Sequence, residues 1–478
     1  MSEPARSAPE GPVPQRLVIV APTSVRWDSR THRIAASLAA RGHDVLVLGR
    51  AEPGLPAEER HPAGYRVQRL EVSAVDGLPL PGVVRRALGS IWARRAGSAR
   101  MAGSGRGARM AGSGRGAGSE SGADRGSDAA PRPGVAGVPD RADRRAGSGR
   151  LGRALGAAVR IARIALTVRS QARAALAADP GADLYHGMAY MGIPVALRLG
   201  SRRRAPVVYD ARDIYVDAGN LARLPGPARR IVGALERRWA RRASRVVTVN
   251  AGYAEVMARR WGVPSPAVVM NCPDPLPEPT HPRRFHEALG LAPTTPVVLY
   301  HGGFSPDRGI EQLVEALPLL PGVHLVCLGY GVLEPFLRAR LAEADGRLHV
   351  LPAVPPEALI EWVASADVAA MPIQPTTLNH RLTTPNKLFE ALAAGVPIVA
   401  SDLPGMAPIV RETGAGVVCD PTDPAAVAAA IRRILELPEA DRRAMGERGR
   451  EAARTRYNWR AQMDVLLAEY GRLTGRPW

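Results

Sequence analysis

Three segments place cations, a carboxylate and glycines at spacings that could hold an anion and a hydroxyl-bearing ligand. In "LYHGGFSPDRGIEQLVEAL" a strand-like run ends in Gly302 and Gly303, a loop follows, and Arg308 and Gly309 open a helical pattern. Backbone amides at a helix start, the positive end of its dipole and a fixed guanidinium form an anion site suited to a diphosphate. In "LGYGV", Gly329 and Gly331 follow another strand-like run and would let a ligand approach the backbone. In "TTPNKLFEALAAGVPIVASD", Pro385 stands at a helix start, and Lys387 and Glu390, three residues apart, share one face. A Lys beside a helix start suits a phosphate, and a Glu one turn on can accept hydrogen bonds from hydroxyls. Each segment also has a plain reading: a strand-to-helix turn for the first, an intrahelical ion pair worth about 0.2–0.5 kcal/mol for the third. Composition favours function for the third, because Lys387 is the only lysine among 64 basic residues.

Positioning these segments requires strand–helix alternation, and the sequence supplies it twice. "RLVIV" from Arg16, a helical "RIAASLAARG" and "HDVLVLG" form a strand–helix–strand unit, the start of a parallel sheet. The rhythm resumes with "DLYHG", "PVVYD", "RVVTVN" and "AVVMN", separated by helical stretches, and ends at Asn271. Five prolines in "CPDPLPEPTHP" exclude helix and central strand there. Beyond it "PVVLYHGG", "VHLVCLG", "RLHVL", "DVAAMP" and "VPIVAS" alternate with helices. The expected architecture is α/β: a tail over 1–15, a doubly wound domain over 16–271, a Pro-rich linker over 272–295, a second doubly wound domain over 296–456, and a C-terminal helix over 457–478 packing back on the first. Ligands in such sheets bind at the carboxyl ends of the strands, here two edges around one cleft.

Charge and cysteines narrow the function classes. The net charge of +19 is partly local: Arg94 to Arg153 holds 13 Arg against 5 acids, in a Gly/Ala/Ser/Arg-rich stretch that repeats "MAGSGRGA" at Met101 and Met110. Such a segment cannot offset its ordering entropy by burial, so residues 96–149 are expected to be a disordered insert. With no aromatic after Trp92 it lacks stacking platforms, which argues against a nucleic-acid partner. The helical stretch from Leu151 carries Arg153, Arg160 and Arg163 opposite Leu155, Val159, Ala162 and Leu166. It could lie on an anionic membrane surface or be a packed helix with a solvated face. Cys272, Cys327 and Cys419 lack paired spacing, which argues against a zinc site or disulfide scaffold and fits a reducing cytosol. The polar, Pro-rich start and the lack of a long apolar run favour a soluble or peripheral protein.

In order and wording, "DSRTHRIAASLAARGHDVLVL", "PVVYDARDIY", "RRASRVVTVNAGYAEVM", "VVLYHGGFSPDRGIEQLVEAL" and, most specifically, "PNKLFEALAAGVPIVASDLPG" resemble a retaining glycosyltransferase of family 4, with the GT-B fold of two facing Rossmann-like domains. The resemblance covers nearly the whole chain except the insert. It implies a nucleotide-sugar donor on the C-terminal domain, an acceptor on the N-terminal one, and no cofactor or metal. Arg308 matches the basic residue that contacts the donor diphosphate, and Glu390 matches the second of two motif glutamates, which binds the ribose. Lys387 is a further phosphate or sugar contact, and Gly302, Gly303, Gly309, Gly329, Gly331, Asn386 and Leu388 complete the implied donor site. Leu382 stands where the first glutamate would be, and Gly302 or Gly303 replaces a frequent Arg. On the acceptor side His186 matches the first His of "DxxHxH", with Met188 in place of the second. Arg212 and Asp213 of "DARD" replace a "DxHE" element, where Arg212 either binds an anionic acceptor or pairs with Asp213. Asp28 and Arg30 match a "DxR" element or form a local salt bridge. Sugar transfer to a glycan, lipid-linked or small-molecule acceptor is the implied activity. A nucleotide-sugar epimerase and a non-catalytic nucleotide-sugar binder are the alternatives.

Overall fold

A computed structural model describes residues 14–73, 142–275 and 283–478, with side chains described from 156 onward in the helix Ala142–Ala178. Of the described residues, Ser73 and 142–167 fall in a unit distinct from the main one. The expected disorder of 96–149 falls on residues outside this description as far as 141; from Ala142 the chain is helical, so the last eight residues of the expected insert belong to a helix instead.

The main unit contains two sheets. The first runs β3-β4-β2-β1-β5-β6-β7-β8, where β1 is Arg16–Val20, β2 Asp44–Arg50, β3 Glu58–Arg60, β4 Arg66–Leu70, β5 Leu184–Met188, β6 Val207–Ala211, β7 Arg245–Thr248 and β8 Ala267–Val268. Only β3 is antiparallel to its neighbour. The second runs β11-β10-β9-β12-β13-β14, all parallel, with β9 Val297–Gly303, β10 His324–Tyr330, β11 Leu348–Leu351, β12 Val368–Met371, β13 Ile398–Ser401 and β14 Gly416–Cys419. Central strands such as β1, β5 and β6 are buried along almost their whole length because both faces are covered. Around β1 and β5, Leu17, Ile19, Val47 and Leu184 build one core; Leu299, Val326, Leu388 and Ile398 build one face of the second sheet, and Val298, Tyr300, Leu325 and Val399 the other.

One difference from the sequence reading concerns the linker. The interval 272–295 contains a helix, Arg284–Leu289, whose Phe285 is fully buried in the second domain's core. The chain also returns to the first domain. The helix Trp459–Thr474 places Trp459, Met463, Leu466 and Tyr470 in the first sheet's core.

The helix Ala142–Ala178 changes character along its length. Arg160 and Arg163 are exposed, but so are Val159 and Ala162, so the expected apolar face is not covered there; Arg153 and Leu155 lie outside the described side chains. From Val168 it packs, with Ala172 and Ala175 buried and the Gln171 amide donating to the Ala21 carbonyl at 2.8 Å. Among the described residues no helix is long and apolar enough to cross a membrane. All three cysteines are free and buried.

Candidate active site

The β9 edge forms the floor of the site. Gly302 has φ +108°, and a side-chain carbon placed on it would lie 3.9 Å from Lys387 Cε, so the glycine turn and the lysine are neighbours. Tyr300, two residues before the turn, donates its hydroxyl to the Gly303 carbonyl at 2.9 Å. The Lys387 ammonium sits 3.5 Å from the centre of the Tyr300 ring, a cation–π contact. Arg308 stands half-buried at the end of the loop, and Gly309 caps the helix Ile310–Ala316 with φ +83°. Gly309 is obligatory: a Cβ there would lie 2.1 Å from the Pro372 carbonyl oxygen.

The helix Asn386–Ala394 begins after Pro385 and buries both Lys387 and Glu390. Glu390 accepts a hydrogen bond from the buried His301 at 2.9 Å, which ties this helix to β9. Burial drives Lys387 down to about 7, reinforced by the nearby Arg308 charge and opposed by Glu390. Burial would raise Glu390, but the His301 hydrogen bond and the Arg33 and Lys387 charges outweigh it and hold the carboxylate below its ordinary value. Among the described residues neither Arg308 nor Lys387 is paired to a carboxylate, so two cations are available where the glycine turn opens. This arrangement can bind a diphosphate and offset charge developing on it.

Gly329 and Gly331, expected to admit a ligand to the backbone, also have a task inside the fold. A Cβ on Gly329 would lie 2.0 Å from the Gly302 carbonyl oxygen, and one on Gly331 would lie 2.3 Å from that of Phe304. Their lack of side chains lets the end of β10 close on the turn of β9, with Gly329 in register with Gly302. Asn386 and Leu388 flank Lys387; Leu388 points into the core and is fully buried.

The β5–β6 edge of the first sheet holds the other group of predicted residues. Asp28 caps the helix Ser29–Ala39, accepting from Thr31 N at 3.3 Å, and pairs with Arg212 at 2.7 Å. Arg212 therefore does not pair with its neighbour Asp213, nor Asp28 with Arg30. Burial would raise Asp28, but the Arg212 charge and hydrogen bonds hold it below the usual carboxylate range. Arg30 reaches inward to Asp210 at 2.7 Å and to the Val269 carbonyl at 2.7 Å. His186 is fully buried, donating to Asp210 at 3.2 Å and accepting from the Tyr470 hydroxyl at 2.7 Å. With both ring nitrogens used inside the core, His186 holds the C-terminal helix and is not on an acceptor surface; Met188 is likewise fully buried.

The two edges meet through residues that sequence reasoning missed. Asn379, on the short helix Leu378–Leu382, accepts from Ile214 N at 2.7 Å, donates to Asp213 at 3.0 Å and receives the Tyr253 hydroxyl on its carbonyl at 2.9 Å. Asn250 donates to the Leu382 carbonyl at 2.9 Å and to Thr384 at 3.1 Å. Arg33, from the helix Ser29–Ala39, bonds Asn271 at 2.8 Å while its charge reaches Glu390. The signal for His301 was present, a polar residue inside an apolar strand just before the glycines; Asn379 and Arg33 had none.

Comparison with known proteins agrees with this architecture. Residues 295–437 match the family described as glycosyl transferases group 1, and residues 99–273 match the glycosyl transferase 4-like domain. A D-inositol 3-phosphate glycosyltransferase of Xylanimonas cellulosilytica is 29% identical over 269 residues, covering 53% of this chain and 62% of that protein. The chain thus spans less than two thirds of that relative's length. Among solved structures, sucrose-phosphate synthase from Thermosynechococcus elongatus superposes with a TM-score of 0.65 at 19% identity, covering 96% of this chain and 99% of that one. Anabaena HepE, in complex with UDP and glucose, gives 0.59 at 15% identity, covering 96% and 100%. Both share the two-domain GT-B fold. With both of its domains matched and the glycine turn, Arg308, Lys387 and Glu390 gathered at one edge, the chain belongs to the family 4 type of glycosyltransferases.

Proposed function

We propose that this protein transfers a glycosyl group from a nucleotide-diphosphate sugar of the UDP or GDP type to an acceptor hydroxyl, with retention of configuration and without a metal ion. The observation that carries the reading is the convergence of Arg308 and Lys387, neither paired to a carboxylate among the described residues, on the glycine turn beside the Glu390–His301 pair. Fixed cations aimed at a departing diphosphate stabilise the charge that develops as the glycosidic bond breaks. The acceptor hydroxyl attacks from the leaving-group face and passes its proton to the departing phosphate. Glu390, oriented by His301, accepts hydrogen bonds from the donor ribose.

The names of the similar proteins support this reading, since one acts on an inositol phosphate by its name and another was solved with UDP and glucose. The acceptor is a glycan, a lipid-linked or a small hydroxylated molecule of cell-envelope or polysaccharide synthesis, met in the cytoplasm or at the inner membrane face. Thermal shift against a panel of UDP- and GDP-sugars tests the donor, because a ligand at 100-fold its Kd adds about 2.7 kcal/mol of stability. Product analysis with donor alone separates transfer from epimerisation, and the anomeric proton coupling of the product reports retention. Absence of stabilisation by every sugar nucleotide overturns the reading.

A further inference from the structure

Asp213 stands at the carboxyl end of β6, half-buried where the two sheet edges meet. Its surroundings come from both domains. Asn379 of the second domain donates to one of its carboxyl oxygens at 3.0 Å, and the same Asn379 side chain accepts from the next backbone amide, Ile214, at 2.7 Å. This fork fixes the carboxyl plane. Asn379 is itself almost fully buried, its backbone carbonyl accepts from the Tyr253 hydroxyl, and its side chain cannot swing away without breaking the bonds to Ile214 and Asp213. Asp213 is the member of "DARD" left over after Asp210 pairs with Arg30 and Arg212 pairs with Asp28. Among the described residues no hydrogen bond reaches its second carboxyl oxygen, and its electrostatic neighbours are Arg212 and Arg308.

Asn379, which holds this carboxyl, lies on the short helix directly before the one that carries Lys387 and Glu390, and the Arg308 charge reaches the carboxyl. We propose that Asp213 is a substrate-binding carboxyl that accepts a hydrogen bond from a hydroxyl of the sugar carried on the bound diphosphate, with Asn379 as its positioning residue. The assignment rests on the reading of the site as a sugar-nucleotide site. It gives the first domain a direct hold on the donor: the nucleoside diphosphate would be bound by the second domain and the sugar checked from the first. Burial raises Asp213, while the Asn379 hydrogen bond and the Arg212 and Arg308 charges favour its carboxylate form.

The test compares ligands with and without the sugar. UDP, UDP-glucose, GDP and GDP-mannose are titrated calorimetrically into wild type, Asp213→Asn and Asn379→Ala. Asp213→Asn keeps an oxygen for Asn379, so its fold is preserved, and its melting temperature checks this. Expected is unchanged affinity for the nucleoside diphosphate and at least a tenfold loss for the matching sugar nucleotide, with Asn379→Ala reproducing the loss in part. Equal affinity of Asp213→Asn and wild type for the sugar nucleotide overturns the proposal while leaving the donor-site reading intact. An equal loss for both ligand types also overturns it, reducing Asp213 to a contact that holds the domains together. Failure of wild type to bind any of the four ligands removes the donor-site reading and the proposal with it.

Discussion

The two sheet edges both carry charged side chains and use them in opposite ways. At the edge of the second sheet, Arg308 and Lys387 have no carboxylate partner among the described residues, and Glu390 accepts from His301. At the edge of the first, Asp28 and Arg212 neutralise each other, as do Asp210 and Arg30, with His186 and Tyr470 filling out the network. An edge that leaves cations unpaired keeps them for a ligand; an edge that pairs them spends them on holding helices to strands. Motif position alone does not separate the two cases.

Four experiments break or sharpen this contrast. The largest effect is expected on stability at the first edge. Arg30→Ala strands Asp210 in a site with no exposure, and loss of one partner of a buried pair costs about 3–5 kcal/mol. Chemical denaturation should show that loss, and a change under 1 kcal/mol would mean the pair is idle. At the second edge Arg308→Ala should leave stability nearly unchanged yet lower turnover about 10²-fold or more, as expected when a fixed donor to developing charge is removed. Steady-state kinetics with the identified donor checks it.

Lys387 gives a pH signature. In the free protein it titrates near 7, and an anionic diphosphate favours its charged form, so binding takes up a proton. Donor affinity should be flat below that value and fall as pH rises through about 7, by up to roughly tenfold per unit. Lys387→Arg, charged throughout, should flatten the profile; calorimetry at several pH values distinguishes them. The smallest effect is expected for His301→Ala, which frees Glu390 without removing a cation. It should raise the donor KM several-fold, up to about tenfold or 1.4 kcal/mol, with kcat less affected.

The alternation of strands and helices, the Pro-rich crossing and the Lys387–Glu390 pair were legible because each is local: apolar runs, glycine and proline punctuation, spacing along one helix; Arg308 joined that pair through the family resemblance. Several features were not. β3, the edge strand, and its neighbour β4 read "EER" and "RVQRL", too short and charged to show a buried run. The Arg30–Asp210 bond joins residues 180 apart and His301–Glu390 residues 89 apart, separations over which no local pattern carries information. Arg212 stands beside Asp213 in sequence, yet successive residues leave a strand edge on opposite sides, so Arg212 finds Asp28 and Asp213 finds Asn379. Gly329 and Gly331 were legible as glycines, but the neighbour that needs their missing side chains is a carbonyl of the protein.

The returning C-terminal helix has a mechanical consequence. The chain passes between the domains twice, once after Asn271 and once before Trp459, and the carboxylate of Asp274 accepts from Trp459 N at 3.0 Å and Arg460 N at 3.3 Å. Both crossings are thus pinned at one spot. Beyond that pin, Asn379 and Asn250 fasten the two bodies at their sheet edges, so a hinge motion about the pin has to break those bonds first.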